Sequence, residues 1–120
     1  MTVFFNKNIN MEDEPKIASP RKIKPVFRKW GFDYRLIRRQ GNVVLYEQKS
    51  KYGNIISYEV MRVQTVKSPT EFHQVGDEYL PGTNSWGTLG WTLGTMEDAE
   101  KRFAEIVYRY EPSEVKISRR

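Results

Sequence analysis

The residues of this 120-residue chain best suited to contact a partner are cations interleaved with aromatic rings in one short segment. Residues 16–40 contain nine Lys or Arg and one Asp, a net charge of +8, whereas the whole chain has a net charge of +5. Cations neutralise phosphates and release counterions, and aromatic rings stack on unpaired bases. We therefore predict a non-enzymatic module that binds nucleic acid, DNA or RNA. The predicted contact residues are Arg21, Lys22, Lys24, Arg28, Lys29, Trp30, Tyr34, Arg35, Arg38, Arg39 and Arg62.

Apolar side chains and the same positive charge also suit a protein partner. A basic segment attracts any polyanion, so an acidic protein surface is the alternative to nucleic acid. Phe4 and Phe5 would anchor the start of the chain on such a partner, while Leu36, Leu45 and Met61 would form an apolar patch on a sheet. The patch also allows a homo-oligomer. In this alternative the protein is a virion component or a modulator of a host protein.

Few residues support catalysis or metal binding. The chain has no cysteine and one histidine, which excludes thiol catalysis, Cys-based zinc sites and His-pair metal motifs. Glu47 and Glu59 lie on neighbouring predicted strands and on one predicted face, but neighbouring cations favour a cross-strand charge network there. His73 lies in a loop, and Asp77-Glu78 lacks the oxygen-ligand pattern of a calcium loop. We therefore predict no enzymatic activity, no metal and no cofactor.

Two properties of the sequence bear on its location. It has no run of about 18 apolar residues of the kind that crosses a bilayer. Its first ten residues lack the apolar stretch of an export signal. We therefore expect no contact with a membrane and a cytoplasmic location.

The beginning of the chain predicts an extended segment. Prolines recur at positions 15, 20 and 25, and each removes a backbone donor and disfavours a helix at the preceding residue. The predicted division is a flexible basic arm over 1–25, an α+β domain over 26–111 and a short basic tail over 112–120.

The middle of the chain predicts a series of strands. Runs of β-branched and aromatic residues are separated by turns that contain Gly41 and Gly53. A long connection over 67–90 follows. The predicted strands cover 34–39, 43–49 and 55–66, with a short strand over 90–93.

One helix follows the strands. Thr95 is a capping residue, Asp98 follows three residues later, and an apolar stripe with helical spacing begins at Ala99 and ends before Pro112. The predicted fold class is α+β: an antiparallel three- to four-stranded β-meander with one C-terminal helix packed on one face and an extended N-terminal arm.

A simple register assigns the strand residues to two faces. One helix covers one face only, so the opposite face is either covered by the arm or the 67–90 connection, or is open to a partner. The sequence leaves both possibilities open. The face predicted beneath the helix holds Ile37, Val44, Tyr46, Ile56, Tyr58 and Val60. The opposite face holds Tyr34, Leu36, Arg38, Val43, Leu45, Glu47, Lys49, Ser57, Glu59 and Met61.

Two segments resemble AP2-type DNA-binding domains. Residues 34–39 (Tyr-Arg-Leu-Ile-Arg-Arg) are similar to the opening strand of that family, and residues 93–100 (Leu-Gly-Thr-Met-Glu-Asp-Ala-Glu) to its strand-to-helix corner. The family reads DNA with a three-stranded sheet packed on one helix. The strands here are longer, and residues 67–90 stand where the family has a short turn. The DNA contacts that the resemblance implies are Arg35, Arg38, Arg39 and Arg62.

The overall layout resembles small accessory proteins of tailed phages. The likeness rests on the basic lead-in, on Tyr-Glu-Val at 58–60, and on Leu-Pro-Gly-Thr-Asn-Ser-Trp-Gly at 80–87 before Gly-Trp-Thr at 90–92. It covers most of residues 30–107. It implies a phage-encoded protein of the host cytoplasm or the virion, without indicating an activity.

Overall fold

The computed structural model of the chain describes residues 19–111. The predicted arm up to residue 18, with Phe4 and Phe5, and the predicted tail over 112–120 lie outside the described residues. In chain order the elements are β1 (Val26–Lys29), β2 (Phe32–Gln40), β3 (Val43–Lys49), β4 (Ile55–Arg62), β5 (Gln64–Thr65), β6 (Glu78–Tyr79), a 3-10 turn (Thr83–Ser85), β7 (Gly90–Leu93) and α1 (Met96–Tyr110).

Five of the strands form one antiparallel sheet in the order β1-β2-β3-β4-β7. Strands β5 and β6 pair in a separate two-stranded ribbon. The prediction of an α+β fold, with an antiparallel meander and a C-terminal helix, is confirmed. The sheet has five strands instead of the predicted three to four, because β1 pairs with β2 and was not predicted from the sequence.

Strand β1 joins the sheet through a two-residue turn formed by Trp30 and Gly31. Their φ angles are 55° and 81°, which is the backbone of a type I′ hairpin turn. Glycine adopts positive φ freely, whereas another residue does so at a cost of roughly 1–2 kcal/mol. Hairpin rules favour Asn-Gly or Asp-Gly at such turns, so a Trp-Gly pair gives no clear signal for β1.

The helix forms as the sequence predicts. Thr95 Oγ1 accepts a hydrogen bond from the Asp98 backbone N–H at 3.1 Å, and two acidic residues stand at the positive end of the helix dipole. The apolar stripe of α1 packs against β3, β4 and β7. Its buried members are Ala99, Phe103, Ile106 and Val107.

Two β-bulges decide which strand residues face the helix. In β2 the register with β3 shifts between Leu36 and Arg38, so Ile37 is an extra residue. In β4 the register shifts again at the end of β3, and the extra residue is Ile56. Because side chains alternate between faces, one extra residue exchanges the faces of everything beyond it.

The bulges correct the predicted faces. Val44 and Tyr46, predicted beneath the helix, lie on the opposite face, and Ile56 is 48% exposed. Val43 and Leu45 take their places. The strand residues that pack against the helix are Ile37, Val43, Leu45, Tyr58, Val60, Trp91 and Leu93.

The face of the sheet opposite the helix, here called the second face, is also covered. Leu36 is half-buried there and Met61 is 3% exposed, while Leu45 is fully buried on the helix side. The predicted exposed patch of these three residues is therefore wrong. The covering side chains come from the segment before β2 and from the 67–90 connection, and they are Ile23, Phe27, Leu80 and Trp86.

Residues 21–25, the lead-in segment, pack on the second face. Tyr46 Oη donates a hydrogen bond to the Lys24 carbonyl at 2.7 Å, and the Leu36 N–H donates to the Pro25 carbonyl at 2.7 Å. Burial raises the pKa of Tyr46 to about 12. The prediction of a flexible arm as far as residue 25 is therefore corrected for these five residues, which belong to the folded domain.

Candidate nucleic-acid interface

Two carboxylates from the 67–90 connection hold the lead-in segment in place. The Asp77 side chain is 4% exposed. It accepts hydrogen bonds from the Arg21 N–H at 2.9 Å, from the Gln74 N–H at 3.1 Å and from Arg21 Nη2 at 3.2 Å. The backbone bond from Arg21 is the main reason why the pKa of Asp77 is lowered.

Glu78 makes the second contact. Its side chain is 6% exposed and accepts hydrogen bonds from Arg39 Nη2 at 2.8 Å and Nη1 at 3.0 Å, and from the Ile23 N–H at 3.2 Å. Lys22 Nζ lies 3.8 Å from it. The Arg39 guanidinium lowers the pKa of Glu78 from 4.5 to about 2. We call Asp77 and Glu78 the carboxylate clamp, since together they join the lead-in segment to the sheet.

An open groove of about 670 Å³ runs between the lead-in segment and the β5–β6 ribbon. We call it the basic groove. Ile23 and Val66 contribute apolar surface, and Tyr79, a residue that is 49% exposed, also lines it. Its cations are Arg21, Lys22, Lys24 and Lys67, and His73 and the carboxylate clamp complete the lining.

The positive charge of the basic groove faces solvent, while its negative charge is buried. The Lys22 side chain is 72% exposed and that of Arg21 is 65% exposed. Lys24 and Lys67 are exposed, and within residues 19–111 no ion pair is found for either. Four cations against the two buried carboxylates leave a net charge of +2. The groove therefore presents a positive potential to solvent.

The arginines of β1 and β2 are used differently. Three further predicted phosphate contacts form ion pairs away from the carboxylate clamp, and the strand register places all three on the helix side of the sheet, away from the basic groove. Their carboxylate partners partly neutralise them. The pairs are Arg28–Asp33 at 3.0 Å, Arg35–Glu47 at 3.0 Å and Arg38–Glu100 at 2.6 Å.

The other predicted contact residues are scattered. The Arg62 guanidinium lies 3.5 Å from the centre of the Tyr110 ring. Tyr34 is 5% exposed, so it offers no open stacking surface to a strand. Trp30 is 71% exposed, with Lys29 Nζ 4.5 Å from its ring centre. The basic groove thus brings together Arg21, Lys22 and Lys24, with Arg39 behind them on the clamp.

The candidate catalytic residues do not form a site. Glu47 pairs with Tyr58 and Glu59 pairs with Tyr46 in the β3–β4 register, so the two carboxylates point to opposite faces. The prediction that they share a face is wrong. His73 Nδ1 lies 3.9 Å from Asp77 Oδ2 in an exposed loop. Within residues 19–111, no group of three or more His, Asp or Glu is placed to hold a metal ion.

Sequence reasoning missed half of the groove. Lys67 and Tyr79 lie in the long connection, more than 40 residues from the lead-in segment, and nothing local pairs them with it. One signal was present: the acidic residues 71–78 follow a strongly basic block, and segments of opposite charge attract. The clamp carboxylates mark where that attraction acts.

Comparisons with known proteins add no relative. No family model, curated protein or solved structure matches the chain. The resemblances to AP2-type domains and to tailed-phage proteins therefore stay predictions. Among residues 19–111, no helix is long and apolar enough to span a membrane.

Proposed function

We propose that this protein is a small nucleic-acid-binding module that holds a single strand in the basic groove. The observation that carries the proposal is the presence of four cations and an exposed tyrosine in the lining of one open groove. The carboxylates of the clamp stay ionised, but they face inward to the arginines that they bind. A polyanion approaching from solvent meets the lysines first.

The groove has the two elements that single-strand binding requires. Lysine side chains follow the phosphates and release counterions, which supplies most of the affinity and little sequence preference. An exposed ring stacks on a base of any identity. Tyr79 provides a ring in the same lining as Lys24 and Lys67, and Phe72, which is 72% exposed, provides another beside His73.

The test is fluorescence anisotropy of labelled single-stranded DNA, duplex DNA and RNA, measured across salt concentration. The triple variant Lys22→Ala, Lys24→Ala and Lys67→Ala removes three groove cations. Each phosphate contact contributes about −0.7 to the log–log salt slope for a single strand, so the slope is expected to flatten by about 2. Tyr79→Ala is expected to weaken single-strand binding while it leaves the slope unchanged.

A matched control separates the groove from net charge. The triple variant Lys49→Ala, Lys51→Ala and Lys101→Ala removes the same charge at positions outside the groove, and it is expected to keep the slope. Equal flattening by both triples would contradict the groove as the binding site. Absence of binding to all three nucleic acids at about 50 mM salt would contradict the proposed function.

A second candidate function is binding to a protein. The observation that favours it is the tip of the β3–β4 hairpin, where Tyr52 is 78% exposed, Ile55 49% and Ile56 48%. Contacts with such an apolar tip resist salt, because screening acts on charges and not on buried apolar surface. A complex that survives both nuclease and high salt, and that is lost in Ile55→Ser with Ile56→Ser, would favour this function over nucleic acid.

A further inference from the structure

A second, smaller cavity lies on the second face beyond the basic groove. It has a volume of about 100 Å³ and lies between the β1–β2 turn and the segment before the 3-10 turn. We call it the aromatic pocket. Its lining includes four aromatic side chains and two charged ones: Phe27, Trp30, Tyr34, Trp86, Glu59 and Lys29.

Two of the aromatic side chains use their polar atoms outside the pocket. The Tyr34 hydroxyl accepts a hydrogen bond from Gln48 Nε2 at 2.7 Å, and the Trp86 indole N–H donates to Thr92 Oγ1 at 2.7 Å. Phe27 and Tyr34 stack with ring centres 4.7 Å apart. Tyr34 is 5% exposed and supports the Phe27 ring from behind, so the ring surface that a ligand can meet comes mainly from Phe27, Trp30 and Trp86.

Close packing fixes one wall of the pocket. The ring of Trp86 lies against the backbone of Gly90, where a side chain would bring a Cβ within 2.6 Å of it. Glycine at position 90 is therefore what allows the ring to lie against the start of β7. The wall is a rigid indole rather than a side chain free to leave.

Glu59 is the acidic residue in the lining of the pocket, and it is half-buried. Within residues 19–111 no hydrogen bond or ion pair to this carboxylate is found. Burial raises the pKa of Glu59, with the Lys29 ammonium acting in the opposite direction from beyond ion-pair distance. A carboxylate that has lost water without gaining a donor is costly to a fold, because burying a charge without a partner is unfavourable.

Trp30, which also lines the aromatic pocket, adds a second energetic cost in the form of backbone strain. It occupies a positive-φ position with φ 55° and stays 71% exposed, although a smaller residue suits that position better. Strained backbone and a half-buried carboxylate without a hydrogen-bond donor are both typical of binding sites, where a ligand compensates for them. The two costs meet at one cavity.

We propose that the aromatic pocket binds an organic cation, a quaternary or alkylated ammonium group. Such a group gains from the negative faces of aromatic rings and from a nearby carboxylate, and it needs no hydrogen-bond donor or acceptor from the pocket. The volume equals roughly three water molecules at about 30 Å³ each, which suits the four or five heavy atoms of a trimethylammonium head group. This inference is independent of nucleic-acid binding in the basic groove.

The position of Lys29 sharpens the proposal. Its ammonium lies over the Trp30 ring at 4.5 Å from the centroid, and it lines the pocket. A bound cation meets like-charge repulsion from it, so removal of this charge is expected to strengthen binding. If the ligand is neutral, removal of the Lys29 charge should leave its affinity unchanged, and if the ligand is an anion, its affinity should fall. The direction of the change in affinity therefore identifies the charge of the ligand.

The experiment titrates the full chain with choline and follows tryptophan fluorescence, with sodium chloride at equal ionic strength as the baseline. The neutral isostere 3,3-dimethylbutan-1-ol tests shape without charge. Choline is expected to bind, and the isostere about ten-fold more weakly. Glu59→Gln is expected to weaken choline binding by about ten-fold, and Lys29→Gln to strengthen it by about three-fold.

The controls separate loss of the site from loss of the fold. Glu59→Gln removes an unpaired charge, so its urea midpoint is expected to equal or exceed that of the parent chain while binding falls. The groove triple variant Lys22→Ala, Lys24→Ala and Lys67→Ala is expected to bind choline normally. Equal binding of choline and its isostere, or unchanged binding in Glu59→Gln, overturns the proposal, and adenosine binding in place of choline reassigns the pocket to a nucleobase.

Discussion

The two faces of the sheet are closed by different means. On the helix side, an amphipathic helix presses four buried apolar side chains onto Val43, Leu45 and Val60. On the second face no helix lies over the strands among residues 19–111. There, the lead-in segment and the 67–90 connection carry Ile23, Phe27, Leu80 and Trp86 across the sheet, and the carboxylate clamp fastens them.

The difference shows how the same kind of charge serves two purposes. Arg39 and Arg21 lie in the block that the sequence marks for phosphate binding, yet both are structural, because they neutralise the carboxylates that close the second face. Lys22 Nζ also lies 3.8 Å from Glu78, whereas Lys24 and Lys67 form no ion pair within residues 19–111. A count of positive charge does not separate these roles, whereas burial of the partner carboxylate does.

The largest expected effect comes from the helix side. Phe103 is 4% exposed, and Phe103→Ala is expected to lower the free energy of unfolding by about 3–5 kcal/mol, since it removes transfer energy and leaves a cavity. Phe27→Ala, on the half-buried cover of the second face, is the matched variant and is expected to cost less. Urea unfolding measures both, and an equal loss would remove the contrast between the faces.

An intermediate effect is expected from acid acting on the clamp. The folded pKa of Glu78 is about 2 and its ordinary value is 4.5, so the folded state favours the ionised form. Its contribution to stability is therefore complete above about pH 4.5 and is lost as pH falls toward 2. The free energy of unfolding should fall over this window, and less steeply in Glu78→Gln. Identical slopes in the two chains would argue against the clamp.

The smallest expected effect comes from the paired arginines of β2. Arg38 and Glu100 form an ion pair whose side chains are 52% and 34% exposed, and such surface pairs contribute about 0–1 kcal/mol. Arg38→Ala is therefore expected to change neither the urea midpoint nor the salt slope of nucleic-acid binding by much. If Arg38→Ala flattened the salt slope of nucleic-acid binding as much per charge as the groove triple variant does, the interface would lie on the helix side of the sheet.

The sequence predicted the elements better than the surfaces. The helix from Met96 was predictable because its cap, its acidic first turn and its apolar stripe are all local. The α+β class followed from the order of the elements. The faces were not predictable, since Ile37 and Ile56 look like ordinary strand residues and nothing in their type marks a bulge.

The candidate site was predictable in part. The lysines of the lead-in segment were found from charge alone, because they lie close together in the sequence. Lys67, Tyr79 and the clamp were not, since their contacts with the lead-in segment span more than 40 residues and arise only from tertiary packing. The aromatic pocket joins the β1–β2 turn to Glu59 and Trp86 in the same way.

The bulge at Ile56 has a consequence for how this chain can change over time. Its side chain is 48% exposed, so many substitutions there are tolerable. Deletion of the residue is not equivalent, because it would exchange the inward and outward side chains of one end of β4 relative to β3. At this position the sequence is constrained in its number of residues more than in their identity, and point substitutions alone would never reveal that constraint.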